Sequence, residues 1–264
     1  MDLRPQTIWI TGASSGIGRA LALACHQDGA RVILSARRIE ALEEVRRACG
    51  GAGDRVAVLP LDLSEPHDLA GKAEAALRQY GAIDMLIHSA GRSQRALVQE
   101  TDLHVDRTLM EVNFFGPVAL TKAVLPAMLA RQAGHIVVIS SLLGKFGMRE
   151  RSGYAASKHA LHGYFESLRA EVHRAGITIT LVCPGYVDTD LPLQALTGSG
   201  QPYGRRDVSH SRGMPATECA ARILKGIGRR RDEVVIGGWE AYAVSLKRFF
   251  PGLFARAIRG YTPT

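Results

Sequence analysis

The sequence has few cysteines and no long hydrophobic run. Its four cysteines, Cys25, Cys49, Cys183 and Cys219, include no Cys-x-x-Cys pair, the local spacing that a zinc knuckle or a redox dithiol requires. We therefore expect reduced structural thiols and no metal site. No stretch approaches the roughly 18 to 20 consecutive apolar residues of a membrane-spanning helix, and the first apolar run begins at Thr7, which leaves no room for a signal peptide. These absences predict a cytoplasmic protein with no transmembrane segment.

Aromatic residues are also scarce, at 6% of the chain. The chain is basic, because 33 Lys and Arg outnumber 25 Asp and Glu to give a net charge of +8. That charge favours anionic ligands such as nucleotides, phosphates or lipid headgroups. A nucleic-acid-binding protein would concentrate its charge on one element with interleaved aromatics, whereas the arginines here are scattered. We expect no nucleic-acid binding.

Short β-branched runs alternate with longer segments of helical period along the chain, which is the pattern of a parallel sheet flanked by helices. The predicted strands are 7–11, 31–35, 55–61, 83–88, 135–140, 177–183 and 234–236. The predicted helices are 16–28, 38–48, 65–80, 102–131, 152–175, 215–228 and a last one from about 239 to 260. We predict an α/β fold: one Rossmann domain over residues 1–264, with a doubly wound seven-stranded parallel sheet and helices on both faces.

A glycine-rich turn joins the first predicted strand to the first helix. It reads Thr11-Gly12-Ala13-Ser14-Ser15-Gly16-Ile17-Gly18. Glycines permit a tight turn and let the backbone approach a pyrophosphate, while the N-terminus of the following helix stabilises its charge. The alternative is that the glycines merely form a turn.

A tyrosine and a lysine lie four residues apart in Tyr154-Ala155-Ala156-Ser157-Lys158, so that a helix places both on one face. Lowering the pKa of a phenol from about 10 to about 7 requires roughly 4 kcal/mol. A cation about 4 Å away at an effective dielectric near 20 supplies about that much. The pair therefore predicts a tyrosine tuned for proton transfer, with a solvated helix surface as the alternative.

Taken with Asn113 and Ser140-Ser141, these motifs resemble the short-chain dehydrogenase/reductase family in order and spacing. The resemblance covers the whole chain. It extends to three further segments: Asp62-Leu63, His88-Ser89-Ala90-Gly91 and Pro184-Gly185-Tyr186-Val187-Asp188-Thr189. Within the family, the segments 113–122, 154–159 and 251–254 are similar to the branch of the dehydrogenase/reductase member 7 and 7B proteins.

The resemblance implies four catalytic residues. Tyr154 would be the general acid in reduction and the general base in the reverse direction, and Lys158 would lower its pKa and bind the nicotinamide ribose. Ser141 would hold the substrate oxygen, with Ser140 pointing the other way because strand side chains alternate. Asn113 would join Lys158 through its main-chain carbonyl and a water. Pro117, four residues after Asn113, lacks the N–H that would bond this carbonyl; the alternative is an incidental kink made by a proline in a helix.

The cofactor implied is NADP(H). NAD-type sites place an acidic residue at the end of the second strand, where this chain has Ala36, and the following Arg37 has a guanidinium suited to a phosphate. Asp62 would accept from the adenine amine. The cofactor-binding residues implied by the resemblance are Gly12, Ser14, Ser15, Gly16, Ile17, Gly18, Arg37, Asp62, Leu63, Ser89, Ala90, Gly91, Tyr154, Lys158, Pro184, Gly185, Val187 and Thr189. His88-Ser89 departs from the usual Asn-Asn, and we interpret His88 as a buried structural histidine.

Substrate recognition is expected from residues 142–153 and from the irregular segment 184–214, a length typical of a functional loop. The residues assigned to the substrate are Ser141, Leu143, Arg149, Arg151 and Tyr186. The surrounding side chains predict an apolar pocket with Lys145, Arg149 and Arg151 at its mouth, and the alternative is that these cations only keep the surface soluble. The substrate is a small-molecule carbonyl or alcohol, apolar and either lipid-like or with an anionic end.

The C-terminal residues 242–258 are basic and amphipathic. Such a segment lies on a membrane surface, closes over an apolar substrate, or packs on its own domain or on a neighbouring subunit. A homodimer or homotetramer is expected. The motifs together predict an NADP-dependent carbonyl reductase or alcohol dehydrogenase. Two other functions stay open: a catalytically silent NADP-binding or scaffold protein, and a lyase or epimerase that uses the cofactor transiently.

Overall fold

The computed structural model describes residues 3–51 and 53–261. Its main strands are β1 (Thr7–Thr11), β2 (Arg31–Ser35), β3 (Val56–Val58), β4 (Met85–His88), β5 (Gly134–Ile139), β6 (Ile177–Pro184) and β9 (Glu233–Ile236). They form one sheet in the order β3-β2-β1-β4-β5-β6-β9, in which all neighbours are parallel. The predicted Rossmann fold with a doubly wound seven-stranded parallel sheet is confirmed.

Helices cover both faces of this sheet. They are α1 (Gly16–Gln27), α2 (Ile39–Ala48), α3 (Leu69–Tyr80), α4 (Leu103–Met110), α5 (Gly116–Arg131), α6 (Ser152–Val172), α7 (Val208–Ser211), α8 (Ala216–Gly228), α9 (Tyr242–Phe249) and α10 (Pro251–Arg259). Two short strands that the sequence did not predict, β7 (Val187–Asp188) and β8 (Met214–Pro215), pair at the two ends of the long loop. The strand order reverses between β1 and β4, which opens a crevice at their carboxyl ends.

The side chains of strand β1 alternate between two hydrophobic cores, one on each face of the sheet. All five of its residues are buried, because a parallel sheet is covered on both sides. Ile8 and Ile10 belong to the core that includes residues of α1, α2 and α8, whereas Trp9 belongs to the core with residues of α3, α5 and α6. This alternation follows the two-residue period of a strand.

The four cysteines are buried and free, without a disulfide. Burial raises the pKa of Cys25 and of Cys219 to about 12. Both therefore stay thiols at neutral pH, in agreement with the expectation of structural cysteines.

The predicted third strand and third helix are longer than the observed β3 and α3. The third strand is predicted to end at residue 61, but β3 ends at Val58, although the backbone nitrogens of Leu59 and Leu61 still donate to the β2 side at 2.9 and 3.2 Å. The predicted helix 65–80 begins only at Leu69. Glu65 precedes Pro66, which disfavours helical backbone at the residue before it.

The helix predicted over residues 102–131 is interrupted by a π-helical turn, Glu111–Phe115, between α4 and α5. Pro117 follows this turn and removes one N–H from the helical ladder. By length and composition, the stretch Leu103–Arg131 could cross a membrane. In the structure, α4 packs against α6 and α5 packs against α3.

The C-terminal segment begins with a short helical turn, Trp239–Ala241, and continues as α9 and α10. Its inner side packs on its own domain, where Phe254 is buried and its ring centroid lies 5.2 Å from that of Phe146. Its outer side leaves several large apolar side chains exposed. The segment thus forms one wall of the crevice described below.

Candidate active site

A cavity of about 950 Å³ lies at the carboxyl ends of the central strands. Most of the residues predicted for the site line it. They are Gly12, Ser14, Ser15, Gly16, Ile17, Gly18, Arg37, Asp62, Leu63, Ser89, Ala90, Gly91, Ser141, Leu143, Arg151, Tyr154, Lys158, Pro184, Gly185, Tyr186, Val187 and Thr189. Asn113 and Arg149 are not among the lining residues. The fold therefore brings the separate motifs into one space at the point where the strand order reverses.

The glycine turn forms a narrow cradle at one end of this cavity. Gly12 has φ +70°, and a Cβ there would lie 2.6 Å from the backbone nitrogen of Ala90. A Cβ at Gly18 would lie 2.3 Å from the carbonyl oxygen of Gly12. The side chain of Ser15, at the N-cap of α1, makes no capping hydrogen bond. The first N–H groups of the helix are therefore available to a ligand. This arrangement fits the pyrophosphate of a dinucleotide.

Charged side chains lie beside the cradle. Arg37 extends from the end of β2 towards Asp62, with 4.0 Å between its Nη1 and Oδ2, and more than half of its side chain is exposed. Asp62 is fixed because its Oδ1 accepts from the backbone nitrogen and the hydroxyl of Ser64. Arg92, which the sequence analysis missed, lines the same cavity. Burial, with the nearby charge of Arg37, lowers the pKa of Arg92.

Asn113 holds this part of the site together from outside the cavity. Its Oδ1 accepts from the backbone nitrogen of Arg92 at 2.8 Å, and its Nδ2 donates to the carbonyl of Arg92 and to the hydroxyl of Ser157, both at 2.9 Å. The side chain thereby ties the loop after β4 to α6. The predicted water relay through the Asn113 carbonyl stays a prediction, whereas this clamp had no signal in the sequence.

The tyrosine and the lysine lie on one face of α6, as their spacing predicts. Both are buried, and the Lys158 ammonium is 5.8 Å from the ring centroid of Tyr154. It donates to the carbonyl oxygen of Ile139 at 2.8 Å. Burial lowers the pKa of Lys158 to about 8.

The pKa of Tyr154 is raised in the structure, and the prediction that Lys158 lowers it is wrong. Burial raises the pKa of the Tyr154 phenol, and the hydrogen bond with Ser141 opposes that rise only in part. The reason is that Lys158 is itself buried and directs its ammonium to a backbone carbonyl. Tyr154 is therefore protonated at neutral pH in this structure.

The two adjacent serines point in opposite directions, as strand alternation predicts. Ser141 accepts from the backbone nitrogen of Leu143 at 3.1 Å and hydrogen-bonds Tyr154. Ser140 donates to the carbonyl of Lys158 at 3.3 Å, and its hydroxyl is 3.1 Å from Nε2 of His162. One serine thus faces the phenol while its neighbour braces the backbone of α6.

The predicted mouth with three cations is not formed. Lys145 is engaged by Glu233, with 2.5 Å between its Nζ and the carboxylate. Arg149 is half-exposed beside Glu150 and does not line the cavity. Arg151 does line it, but is buried. Glu150 explains the difference, because its φ of +63° turns the chain and sends Arg149 and Arg151 in different directions.

A buried charge cluster surrounds Arg151. Asp207 accepts from Nε of Arg95 at 3.1 Å and lies 3.6 Å from Arg151, and all three side chains are more than nine-tenths buried. Burial, with the charge of Arg95, lowers the pKa of the adjacent His210 to about 4, so this histidine is neutral. The guanidinium groups of Arg95 and Arg151 therefore share the Asp207 carboxylate. Asp207 is far from both arginines in the chain and was not predicted as a site residue.

His88 agrees with its interpretation as a structural histidine. Its Nε2 lies 2.8 Å from the hydroxyl of Thr121, and complete burial lowers its pKa to about 3. The ring is therefore neutral and stays under the cavity floor, while Ser89 lines the cavity.

In the described part of the chain, His162, Glu166 and Glu233 place three potential metal-ligand atoms within 4.8 Å of one another. Lys145 already neutralises Glu233. The expectation of no metal site stays a prediction.

Solved structures of known proteins have the same fold. A short-chain dehydrogenase from Streptomyces avermitilis aligns with a TM-score of 0.83 at 31% identity, over 99% of this chain and 100% of that one. A short chain dehydrogenase from Burkholderia cenocepacia J2315, in complex with NADP, aligns with a TM-score of 0.80 at 27% identity over the whole of both chains. Fold and site define a Rossmann-fold oxidoreductase that depends on NAD or NADP.

Sequence comparison gives the family. A family model described as short chain dehydrogenase matches residues 6–197. The mouse protein Dehydrogenase/reductase SDR family member 7B is 40% identical over 259 residues, which is 96% of this chain and 80% of the mouse protein. The chain belongs to the short-chain dehydrogenase/reductase family.

Proposed function

We propose that this protein is an NADP(H)-dependent carbonyl reductase or alcohol dehydrogenase. The observation that carries the proposal is the contact of a buried phenol, Tyr154, with the Ser141 hydroxyl in a cavity whose other end is the glycine cradle. When bound there, the cofactor supplies or accepts the hydride. The protein's own residues supply the proton and hold the substrate oxygen.

Each residue near the phenol has a separate task. Tyr154 is the proton donor in reduction, which its raised pKa suits because the hydroxyl stays protonated at neutral pH. Ser141 donates a hydrogen bond to the substrate oxygen. Lys158 has a pKa near 8, stays mostly cationic at neutral pH and binds the ribose. Asn113 positions this machinery through Arg92 and Ser157.

The preference for NADP(H) is supported by the absence of an acidic side chain where Ala36 follows β2 and by the guanidinium of Arg37 beside it. Arg92, in the same part of the cavity, adds a second cation. A 2′-phosphate would face positive charge here, and Asp62 remains the acceptor for the adenine amine.

The substrate we propose is apolar. Leu143, Phe146, Leu246 and Phe254 line its side of the cavity, and Tyr186 meets Tyr261 there with 2.9 Å between their hydroxyl oxygens. An anionic end on the substrate would be recognised by Arg151 alone, since Lys145 and Arg149 lie elsewhere. A cytoplasmic location stays part of the proposal.

The proposed subunit arrangement is a homodimer or homotetramer. Exposed apolar side chains on α4 and α5, including Leu103 and Leu129, support contact with a second copy. Light scattering on the purified protein measures its mass in solution.

The deciding experiment compares the parent protein with Tyr154→Phe. Each is incubated with NADPH and a panel of ketones, quinones and steroids, and both NADPH loss and alcohol formation are measured. General acid catalysis is typically worth about 10² to 10⁴-fold, so turnover should fall by that factor while NADPH still binds. Unchanged turnover in Tyr154→Phe would refute the role of the phenol.

The same assay separates the other functions. A lyase or epimerase would form product without stoichiometric NADPH loss. A silent scaffold would bind NADPH and convert no member of the panel.

A further inference from the structure

Five large apolar side chains form an exposed patch on the C-terminal segment. Trp239, Tyr242, Phe249, Phe250 and Leu253 are 74%, 76%, 69%, 62% and 58% exposed. We call this set the C-terminal face. Single exposed apolar residues are ordinary, but a group of five close together in the chain, four of which line one cavity, marks an interaction surface.

Apart from Glu240, whose Oε1 accepts from the backbone nitrogen of Gly238 at 3.1 Å, the charged side chains of this segment are basic. Lys247, Arg248, Arg256 and Arg259 lie in α9 and α10, and residues 241–261 contain no Asp or Glu. Arg248 lies 6.0 Å from the ring centroid of Phe249. Lys247 donates to the carbonyl oxygen of Lys145 at 2.6 Å, so the cations beside the aromatic side chains that matter here are the three arginines. Aromatic side chains beside cations are the composition of a helix that lies in a membrane interface with anionic lipids.

The same face borders the active-site cavity. Trp239, Tyr242, Phe249 and Phe250 line that cavity as well as being exposed to solvent. The inner side of the segment is anchored by Phe254, which packs on Phe146. A surface bound at the C-terminal face would therefore meet the opening of the cavity.

We propose that the C-terminal face docks on an anionic lipid bilayer surface and that the cavity opens towards it. The aromatic side chains enter the interface, and the basic side chains contact lipid headgroups. Delivery of an apolar substrate from the bilayer rests on the proposed function, whereas docking itself does not.

Charge argues against a second copy of this chain as the occupant. In a symmetric dimer the same patch meets itself, so the arginines of α10 would face one another with no acidic partner in residues 241–261. Like charges across an interface are unfavourable, and the centres of protein interfaces are depleted of charge. An anionic bilayer removes this conflict.

The two tryptophans make the test specific. Trp239 is 74% exposed, whereas Trp9 is fully buried in the sheet. The full chain is mixed with vesicles of phosphatidylcholine alone, or of phosphatidylcholine with phosphatidylglycerol, and emission, acrylamide quenching and co-sedimentation are measured. Anionic vesicles should shift the Trp239 emission to shorter wavelength and protect it from acrylamide. Trp239→Phe should abolish the spectral change while co-sedimentation persists.

Two sets of variants test the two parts of the face. Arg256→Gln with Arg259→Gln should weaken binding to anionic vesicles by roughly 10- to 30-fold, at about fivefold per cation. Its matched control is Arg229→Gln with Arg230→Gln, two exposed arginines after α8, which should leave binding unchanged. Phe249→Ser with Phe250→Ser should also weaken binding, whereas the exposed pair Ile39→Ser with Val98→Ser should not.

Several outcomes would overturn the docking proposal. The first is that the protein does not bind anionic vesicles. The second is that it binds neutral and anionic vesicles equally and that the arginine variants do not change this binding. The third is that the protein is a dimer in solution and that Phe249→Ser with Phe250→Ser dissociates it. Turnover of a water-soluble ketone is measured separately in Arg256→Gln with Arg259→Gln and should equal that of the parent. A protein that binds vesicles but reduces nothing refutes the proposed function only, and an active protein that ignores vesicles refutes docking only.

Discussion

Asp207→Asn tests the buried charge cluster beside the substrate end of the cavity. The change keeps the shape of the side chain and removes its charge. Arg95 and Arg151 are then left without their shared carboxylate, although their side chains are only 5% and 4% exposed. Breaking a buried ion pair from one side typically costs about 3 to 5 kcal/mol. In a chain of this length that loss lowers Tm by roughly 10 °C.

Asp190→Asn is the matched control. Asp190 lies 2.6 Å from Arg206, but both side chains are more than half exposed, and exposed pairs are worth about 0 to 1 kcal/mol. The free energy of unfolding is measured by urea denaturation for both variants. Adding Arg95→Met to Asp207→Asn should recover part of the loss, because one unpaired cation is then removed. Equal stability of Asp207→Asn and Asp190→Asn would refute the argument from burial.

Three further predictions address the site. Arg37→Ala should weaken NADPH binding by about 10- to 150-fold, since hydrogen bonds to charged groups are worth about 1.5 to 3 kcal/mol. A fluorescence titration should show NADH binding nearly unchanged, and an equal loss of affinity for both cofactors would contradict a 2′-phosphate contact. Arg151→Met should reduce the kcat/KM preference for a ketone with an anionic end over its neutral analogue, whereas Arg149→Met should not. The pKa of Lys158 in the folded state is lowered to about 8 from 10.5, so between these pH values the unfolded chain binds more protons and the free energy of unfolding rises with pH. Lys158→Met should remove this rise, which is about 3 kcal/mol. The same pH dependence of unfolding in parent and variant would contradict the prediction.

The fold could be predicted because its signals are local. The two-residue alternation of Ile8, Trp9 and Ile10 marks a strand that is buried on both sides. Gly18 is required by a close approach to the Gly12 carbonyl within the same short turn, whereas the approach of Gly12 to Ala90 is long-range. Prediction failed at the start of α3, where Pro66 acts through backbone geometry rather than hydrophobic pattern.

The parts of the site that sequence reasoning missed depend on long-range contacts. Arg95 and Asp207 are 112 residues apart, and nothing local marks either as a partner. Asn113 could be named from its family resemblance, but its bonds to Arg92 depend on how the loop after β4 meets α6. Arg149 is predicted at the cavity mouth because it is one of three cations just before Tyr154, but the left-handed backbone at Glu150 separates it from Arg151.

The tyrosine shows why spacing alone does not fix a pKa. One lysine charge about 4 Å away in a medium of intermediate dielectric supplies a free energy comparable to that needed to ionise a phenol at neutral pH. In the folded chain Tyr154 and Lys158 are both buried, so each loses solvation of its own charged form. The pKa of the tyrosine rises and that of the lysine falls. Burial thus favours a neutral phenol, and in the proposed reaction this phenol would donate its proton to a substrate oxygen held beside it by Ser141.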